Sequence, residues 1–287
     1  MKNLKLFAMV ALMVIGLTAC AGGEKESTTQ AASSVQEGEA KEESAAGDAA
    51  AIDEDGVFTV GFDQDFPPMG FVGEDGQFKG FDLELAAEVA KRLGMEIKYQ
   101  PIEWAAKEME IESGSIDCIW NGFTINGRED AYTWSDPYME NKQVFVVKKE
   151  SGIEGLGDLA GKSVEVQADS SAEAALKDKP DLTKSFGELR TVADYNTAFM
   201  DLEMGTVDAI AMDVIVAGYQ IQQRNSDEYM MLQEELASET YGIGFKKGNT
   251  ALRDAVNIKL LEMAADGTLE KVSKTWFGQD VTIIGRK

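Results

Sequence analysis

The chain is expected to fold as an α/β protein of two similar units joined by a hinge, and three observations predict it. From residue 57 onward, strand-length and helix-length apolar patterns alternate, which implies mostly parallel sheets. An internal echo sets Glu112-Ser113-Gly114-Ser115-Ile116-Asp117-Cys118-Ile119 against Glu203-Met204-Gly205-Thr206-Val207-Asp208-Ala209-Ile210. Each is a helix end, a glycine stop and the entry to a strand, although any such corner favours glycine there. Two extended stretches, 142–148 and 239–247, stand where a chain crossing between units would run, and a paired crossover makes a hinge.

In the first unit, 57–62 reads as a strand. Residues 81–93 put Phe81, Leu85, Ala86, Val89 and Leu93 on one helical face and stop at Gly94. A strand at 95–100, a helix at 104–113 and a strand at 116–120 follow. After Gly161 the cycle restarts with strand 163–167, helix 171–177, strand 189–192, helix 195–203, strand 207–212 and helix 214–223. Helices 251–264 and 268–276 close the chain and are expected to return to the first unit. The lobes are therefore expected at 53–144 plus 245–287 and at 145–244, with hinge strands at both ends of the second.

Ahead of these units lie two other kinds of sequence. Residues 1–20 hold Lys2 and Lys5, then an apolar run of about a dozen residues, then Leu17-Thr18-Ala19-Cys20. That is the pattern of a signal peptide, and the run is shorter than the roughly 20 residues that a membrane-spanning helix needs. A plain secretory signal does not need the cysteine. The motif resembles the bacterial lipobox, which implies a lipid on Cys20, removal of 1–19 and an extracytoplasmic, membrane-anchored protein. Residues 21–52 are Ala, Gly, Ser, Thr, Glu, Lys and Gln with almost no large apolar side chains, an acidic disordered tether reaching on the order of 30 Å.

Composition narrows the chemistry. The net charge of -24 leaves no means of neutralising nucleic-acid phosphates. There is no histidine, so the commonest general base and metal ligand are missing. Of two cysteines, one is Cys20; Cys118 reads as a small buried apolar residue, and neither a disulfide framework nor a zinc site is expected. No nucleophile–base pair and no phosphate loop is seen, so no cofactor is expected.

Candidate binding residues sit beyond strand C-termini, where open α/β sheets take their ligands. The first such loop is Asp63-Gln64-Asp65-Phe66-Pro67-Pro68-Met69; it reads as a ligand loop or as a polar turn with a core Phe66. The second is Asn121-Gly122-Phe123-Thr124-Ile125-Asn126-Gly127-Arg128, where Gly122 permits close backbone approach and Arg128 offers a fork for a carboxylate or for a surface ion pair. In the second unit, Ser170 and Ser171 stand either as ligand contacts or as caps for the next helix. Asp213 follows another strand and reads as a ligand residue, an N-cap, or both. Trp104 is a ligand platform or a core residue.

Taken together, these segments resemble the bacterial extracellular solute-binding proteins of family 3, the amino-acid receptors of ABC importers. The resemblance runs from about Val57 to Phe277. It is carried, in order, by Phe62-Asp63 with Phe66-Pro67-Pro68-Met69, by Gly80-Phe81-Asp82-Leu83-Glu84-Leu85-Ala86, by Ser135-Asp136-Pro137-Tyr138, by Leu156-Gly157-Asp158-Leu159-Ala160-Gly161-Lys162-Ser163-Val164, and by Asp266-Gly267-Thr268 with Trp276-Phe277-Gly278.

The resemblance implies a type II periplasmic-binding-protein-like fold with the ligand in the cleft between hinged lobes. It implies a monomeric receptor that holds a free polar amino acid (basic, amide-bearing or cystine-like) and presents it to the importer's membrane subunits. Arg128, helped by Thr124 and the Ser170 region, would clamp the α-carboxylate. Asp213, with acceptors from Asn121 and Gly122, would hold the α-ammonium. Phe66 and Trp104 would sandwich the side chain, and Asp63 would meet its tip. This chain departs from the family in having Thr124 and Arg128 four apart rather than five, and in having Asp169 where relatives often carry a small residue. A second reading is an enzyme on the same fold, such as a dehydratase acting on a cyclic acid; a third is a sensory module.

Overall fold

The computed structural model describes residues 56–224 and 227–286. Cys20, the signal peptide and the tether lie outside the described residues.

The first half opens with β1 (Val57–Phe62), followed by a short meander, β2 (Asp65–Phe66), β3 (Gly70–Val72) and β4 (Phe78–Lys79). Helix α1 (Phe81–Leu93) buries Phe81, Leu83, Leu85, Ala86 and Val89, and Gly94 ends it in the left-handed region at φ 74°. Then come β5 (Glu96–Pro101), a single 3₁₀ turn at Trp104–Ala106, α2 (Lys107–Ser113), β6 (Cys118–Thr124), β7 (Thr133–Trp134) and β8 (Met139–Lys148). The second half holds β9 (Ser163–Gln167), α3 (Ser171–Lys177), α4 (Pro180–Ser185), β10 (Glu188–Val192), α5 (Tyr195–Met204), β11 (Ala209–Asp213), α6 (Val214–Gln223) and β12 (Tyr229–Met231). The chain returns through β13 (Ala237–Phe245) to α7 (Thr250–Asp266) and α8 (Thr268–Phe277).

One continuous sheet runs in the order β10-β9-β11-β8-β13-β6-β1-β5. Its ends are parallel triplets, β5-β1-β6 and β10-β9-β11, as the alternation predicts. The middle is different. β8 and β13 lie side by side and antiparallel from Met139↔Tyr241 to Gln143↔Ala237. Each then parts from the other: β8 goes on to pair with β11 through Val147↔Ala209, and β13 pairs with β6 through Phe245↔Cys118. The two halves thus share two crossing strands. Helices α1, α7 and α8 cover one face of the first half, and a separate aromatic cluster around Ile119, Phe123 and Tyr132 covers the other. Helix α3 packs on the second half over Val164, Val166, Ala209 and Ala211.

Three expectations need correction. The strand expected at 116–120 begins at Cys118 and continues through Thr124, so Asn121 and Gly122 lie within a strand rather than in a loop. β13 supplies the hydrogen-bonding edge for that extension. Its Gly242 and Gly244 make room for it, since a Cβ there would stand 2.7 Å from Ile125 and from Phe123. The helix expected at 104–113 starts as a 3₁₀ turn and becomes α-helical only at Lys107. The sequence reading also passed over α4 and the short strands, whose few residues carry no measurable period.

Candidate functional site

Four strand C-termini converge between the halves: β1 before Asp63, β6 at Thr124, β9 at Gln167 and β11 at Asp213. They border a nearly filled cavity of about 10 Å³, lined by Phe66, Trp104, Asn121, Gly122, Thr124, Arg128, Gln167, Ser170, Ser171 and Asp213. Eight of the nine expected binding residues are in that lining. Asp63 is not.

Arg128 is set by a tight turn in which its N–H donates to the Ile125 carbonyl at 2.9 Å, with Gly127 at φ 79°. Its guanidinium lies over the Phe123 ring at 5.4 Å. Phe123 is itself braced by Trp104, Tyr132 and Trp134 at 5.4, 5.1 and 4.7 Å. Nη2 of Arg128 reaches the other half and donates to the Asp169 carbonyl at 3.1 Å. Asp169 takes φ 58°, unusual for a residue with a side chain, and turns its carboxylate onto Lys107, whose ammonium is enclosed in the first half. Burial pushes the Lys107 ammonium down from its ordinary value, and the Asp169 carboxylate opposes that shift.

Asp213 ends β11 and begins α6. Among the described residues its carboxylate caps nothing in α6 and turns instead into the site. Oδ1 accepts hydrogen bonds from Asn141 Nδ2 at 2.7 Å, Gln143 Nε2 at 2.9 Å and Tyr241 Oη at 2.6 Å. Burial, then the nearby negative charge of Glu239, pushes its proton affinity above the carboxylate range. The serine alternatives resolve differently. Ser170 lines the cavity and also caps α3, its Oγ accepting from the Glu173 N–H at 3.1 Å.

Asn121 and Gly122 are buried in β6. Asn121 Oδ1 accepts from the Asp63 N–H at 3.0 Å, and the Gly122 N–H donates to the wholly buried Asp82 carboxylate at 2.6 Å. Gly122 is at φ 56°, and a Cβ there would sit 3.0 Å from the Phe66 ring. Phe66 is 6.0 Å from Tyr195 across the halves. The Thr124 hydroxyl is occupied: it donates to Glu239 at 2.9 Å.

Asp63 borders a second, larger cavity together with Asp65, Glu103 and Asp194. Its Oδ2 accepts from Gln167 Nε2 at 2.7 Å, a bond between halves. Burial raises its pKa to about 6. The tip-contacting role implied for Asp63 thus has Gln167 in the way in this arrangement.

Ser171, offered by the sequence as a ligand contact or a cap, joins the lining; sequence reasoning gave Gln167 no role, and it missed Asn141, Gln143, Glu239 and Tyr241 as the frame behind Asp213. A signal existed. Asn141 and Gln143, like Glu239 and Tyr241, are two apart in extended chain and so share a face. Polar pairs at that spacing on both crossing stretches marked the face turned to the site. Among the described residues, no cluster of acids and cysteines is placed to hold a metal, and no helix is long and apolar enough to cross a membrane.

Comparison with known proteins bears on what such a cavity does. Residues 58–279 match the description "Bacterial extracellular solute-binding proteins, family 3". The chain belongs to this family. It is 34% identical over 234 residues to the L-cystine-binding protein TcyJ of Escherichia coli K12, covering 80% of this chain and 86% of that one. It is 29% identical over 287 residues to the L-cystine-binding protein TcyA of Bacillus subtilis 168, covering 98% and 100%. A substrate-binding protein of an ABC uptake transporter from Streptococcus pneumoniae, solved with bound histidine, superimposes with a TM-score of 0.77 at 35% identity, covering 79% and 95%. For a family 3 solute-binding protein, the layout here puts one fixed cation and one buried carboxylate on a single cavity, each offered by a different half.

Proposed function

We propose that this family 3 protein is the receptor of an amino-acid ABC importer, holding a free polar amino acid between Arg128 and Asp213. The carrying observation is that both side chains line one cavity, one from each half. A zwitterion needs both charges, and each charge-assisted bond contributes about 1.5–3 kcal/mol. The ligand then favours the arrangement that brings the halves together, because only there are both contacts made. Residues 53–144 with 245–287, and residues 145–244, are the lobes, and the crossing strands are the hinge.

The Arg128 fork takes the α-carboxylate in exchange for the Asp169 carbonyl, with Ser170 beside it. Asp213 takes the α-ammonium, with Asn121 and Gly122 adjacent. Phe66 and Trp104 flank the side chain, and apolar walls of this kind pack aliphatic stems and attract cations. Displacing Gln167 would open the path from the cavity to Asp63, which favours a side chain with a polar or cationic tip. L-cystine, L-arginine, L-glutamine and L-histidine are the first ligands to try. The two cystine-binding relatives put L-cystine at the head. The chain binds without turnover, is exported, carries a lipid on Cys20, acts as a monomer on the outer face of the membrane, and presents its closed form to the importer's membrane subunits.

A thermal-shift panel of the twenty amino acids and L-cystine tests this, because a ligand that binds only the folded state raises its melting temperature. A shift with one or a few amino acids, and recovery of that ligand unchanged after incubation, supports the receptor reading. Silence across the panel, or conversion of the ligand, rejects it.

A further inference from the structure

Behind Asp213 stands a second buried acid, Glu239 on β13, to which the binding reading assigns no role. Its Oε1 accepts from Asn141 Nδ2 at 2.6 Å and Gln143 Nε2 at 2.8 Å, the same two nitrogens that donate to Asp213 Oδ1. It also accepts from the Thr124 hydroxyl at 2.9 Å, and Ser171 Oγ stands 3.5 Å away. One carboxylate oxygen is therefore met from β6 in the first half, from β8 in the hinge and from the head of α3 in the second half. Two carboxylates bridged by shared amide nitrogens repel each other, and that repulsion favours one proton on the pair.

We propose that Glu239 is a positioning residue for the ligand's ammonium group, and that it shares with Asp213 a proton that capture of an amino acid drives out. This rests on the amino-acid reading above. The ammonium supplies the positive charge that the shared proton supplies beforehand, so the proton passes to solvent as the ligand enters and both acids end ionised. The groups facing the pair agree with one net exchange. Tyr241 donates from β13, and Tyr195 on α5 senses both acids and is itself pushed well above its ordinary range by burial. Arg128 lines the same cavity, while Glu140 and Lys142 line the groove on the far side of Glu239. Burial and Glu239 together raise Asp213, as a shared proton requires.

Two measurements on the full chain test this. In the ligand-free protein, carboxyl ¹³C NMR against pH is expected to show a coupled pair with one step near neutrality. Glu239→Gln should leave a single step at lower pH. Titration of both acids below pH 5, or a profile that Glu239→Gln leaves unmoved, overturns the shared proton. In the second, L-cystine is titrated calorimetrically at pH 7 in phosphate and in Tris, whose protonation enthalpies differ. At this pH, where the pair is about half protonated, the wild type is expected to release about half a proton per ligand and Glu239→Gln almost none. Below the upper step, affinity should fall about tenfold per pH unit in the wild type only. Equal heats in the two buffers overturn the proposal from the wild type alone, even if the variant folds poorly. If no amino acid of the panel gives heat while the neutral carboxyl step persists, the receptor reading fails and the coupling falls with it, but the shared proton stands.

Discussion

The two charged ends of the cavity are built in opposite ways. Arg128 is half-buried on a turn, held by an aromatic platform and by a carbonyl that belongs to the other half. Asp213 is enclosed at a strand end, and its three donors all come from the two crossing strands. A guanidinium stays charged in almost any setting and tolerates exposure. A carboxylate tucked beside another acid must be held by fixed dipoles. The hinge end is therefore organised by strands whose backbones pair directly with each other, whereas the rim end is completed only by contacts between halves. The Asp213 end is framed within the crossing strands, and the Arg128 end, with Lys107 and Asp169, is framed by contacts between halves.

The comparison breaks most sharply at Arg128. Arg128→Ala is expected to abolish the ligand-induced thermal shift, with affinity weakened about 100-fold, the equivalent of one charged bond near 3 kcal/mol. The ligand-free melting temperature should barely move. A retained shift would remove Arg128 from the carboxylate role. Asp213→Asn should weaken binding by roughly tenfold or more yet leave the ligand-free protein as stable or stabler, because it relieves a buried like-charge pair. Loss of ligand-free stability there would mean that the hinge end is structural first.

Asp169→Asn sharpens the other side. Asparagine tolerates the left-handed backbone, so the change removes only the charge facing Lys107. The Asp169 side chain is about half exposed, which screens the pair, and a ligand off-rate about threefold faster is expected by stopped-flow. An unchanged off-rate would show that the rim contact does not hold the halves closed.

The smallest effect concerns Asp82, which supports Gly122 from below. Burial raises its pKa from 3.8 to about 7, so the folded state holds this proton longer than the unfolded chain does. Its contribution to stability is full below about pH 4 and is lost as pH rises toward 7. Asp82→Asn should therefore gain on the wild type in melting temperature as pH rises across that window. A gap that stays constant with pH would mean that Asp82 remains ionised throughout.

Much of this was legible in the chain. α1 at 81–93, β9 at 163–167 and α6 at 214–223 coincide with the expected bounds, because each has a clear local apolar pattern, closed in α1 by Gly94. The lining residues Phe66, Trp104, Thr124, Arg128, Ser170 and Asp213 were reachable because strand C-termini can be located from local apolar period and turn residues alone. The continuation of β6 through Asn121 and Gly122 was not, because it depends on a partner strand more than 110 residues away. Nor was the engagement of Thr124 by Glu239, since an isolated acid in an extended stretch carries no mark of what it faces.

By itself the sequence determined the alternation of strands and helices, the two-unit plan, the family and the pool of charged residues at strand ends, all of which follow from local period, turn chemistry and short motifs. Only the tertiary structure decided which of those side chains meet. It set Arg128 and Asp213 on one cavity, put Gln167 between that cavity and Asp63, and drew Thr124, Asn141, Gln143 and Ser171 around Glu239. The reason is physical: burial, hydrogen-bond satisfaction and charge repulsion are properties of neighbours in space, and these neighbours come from strands far apart in the chain.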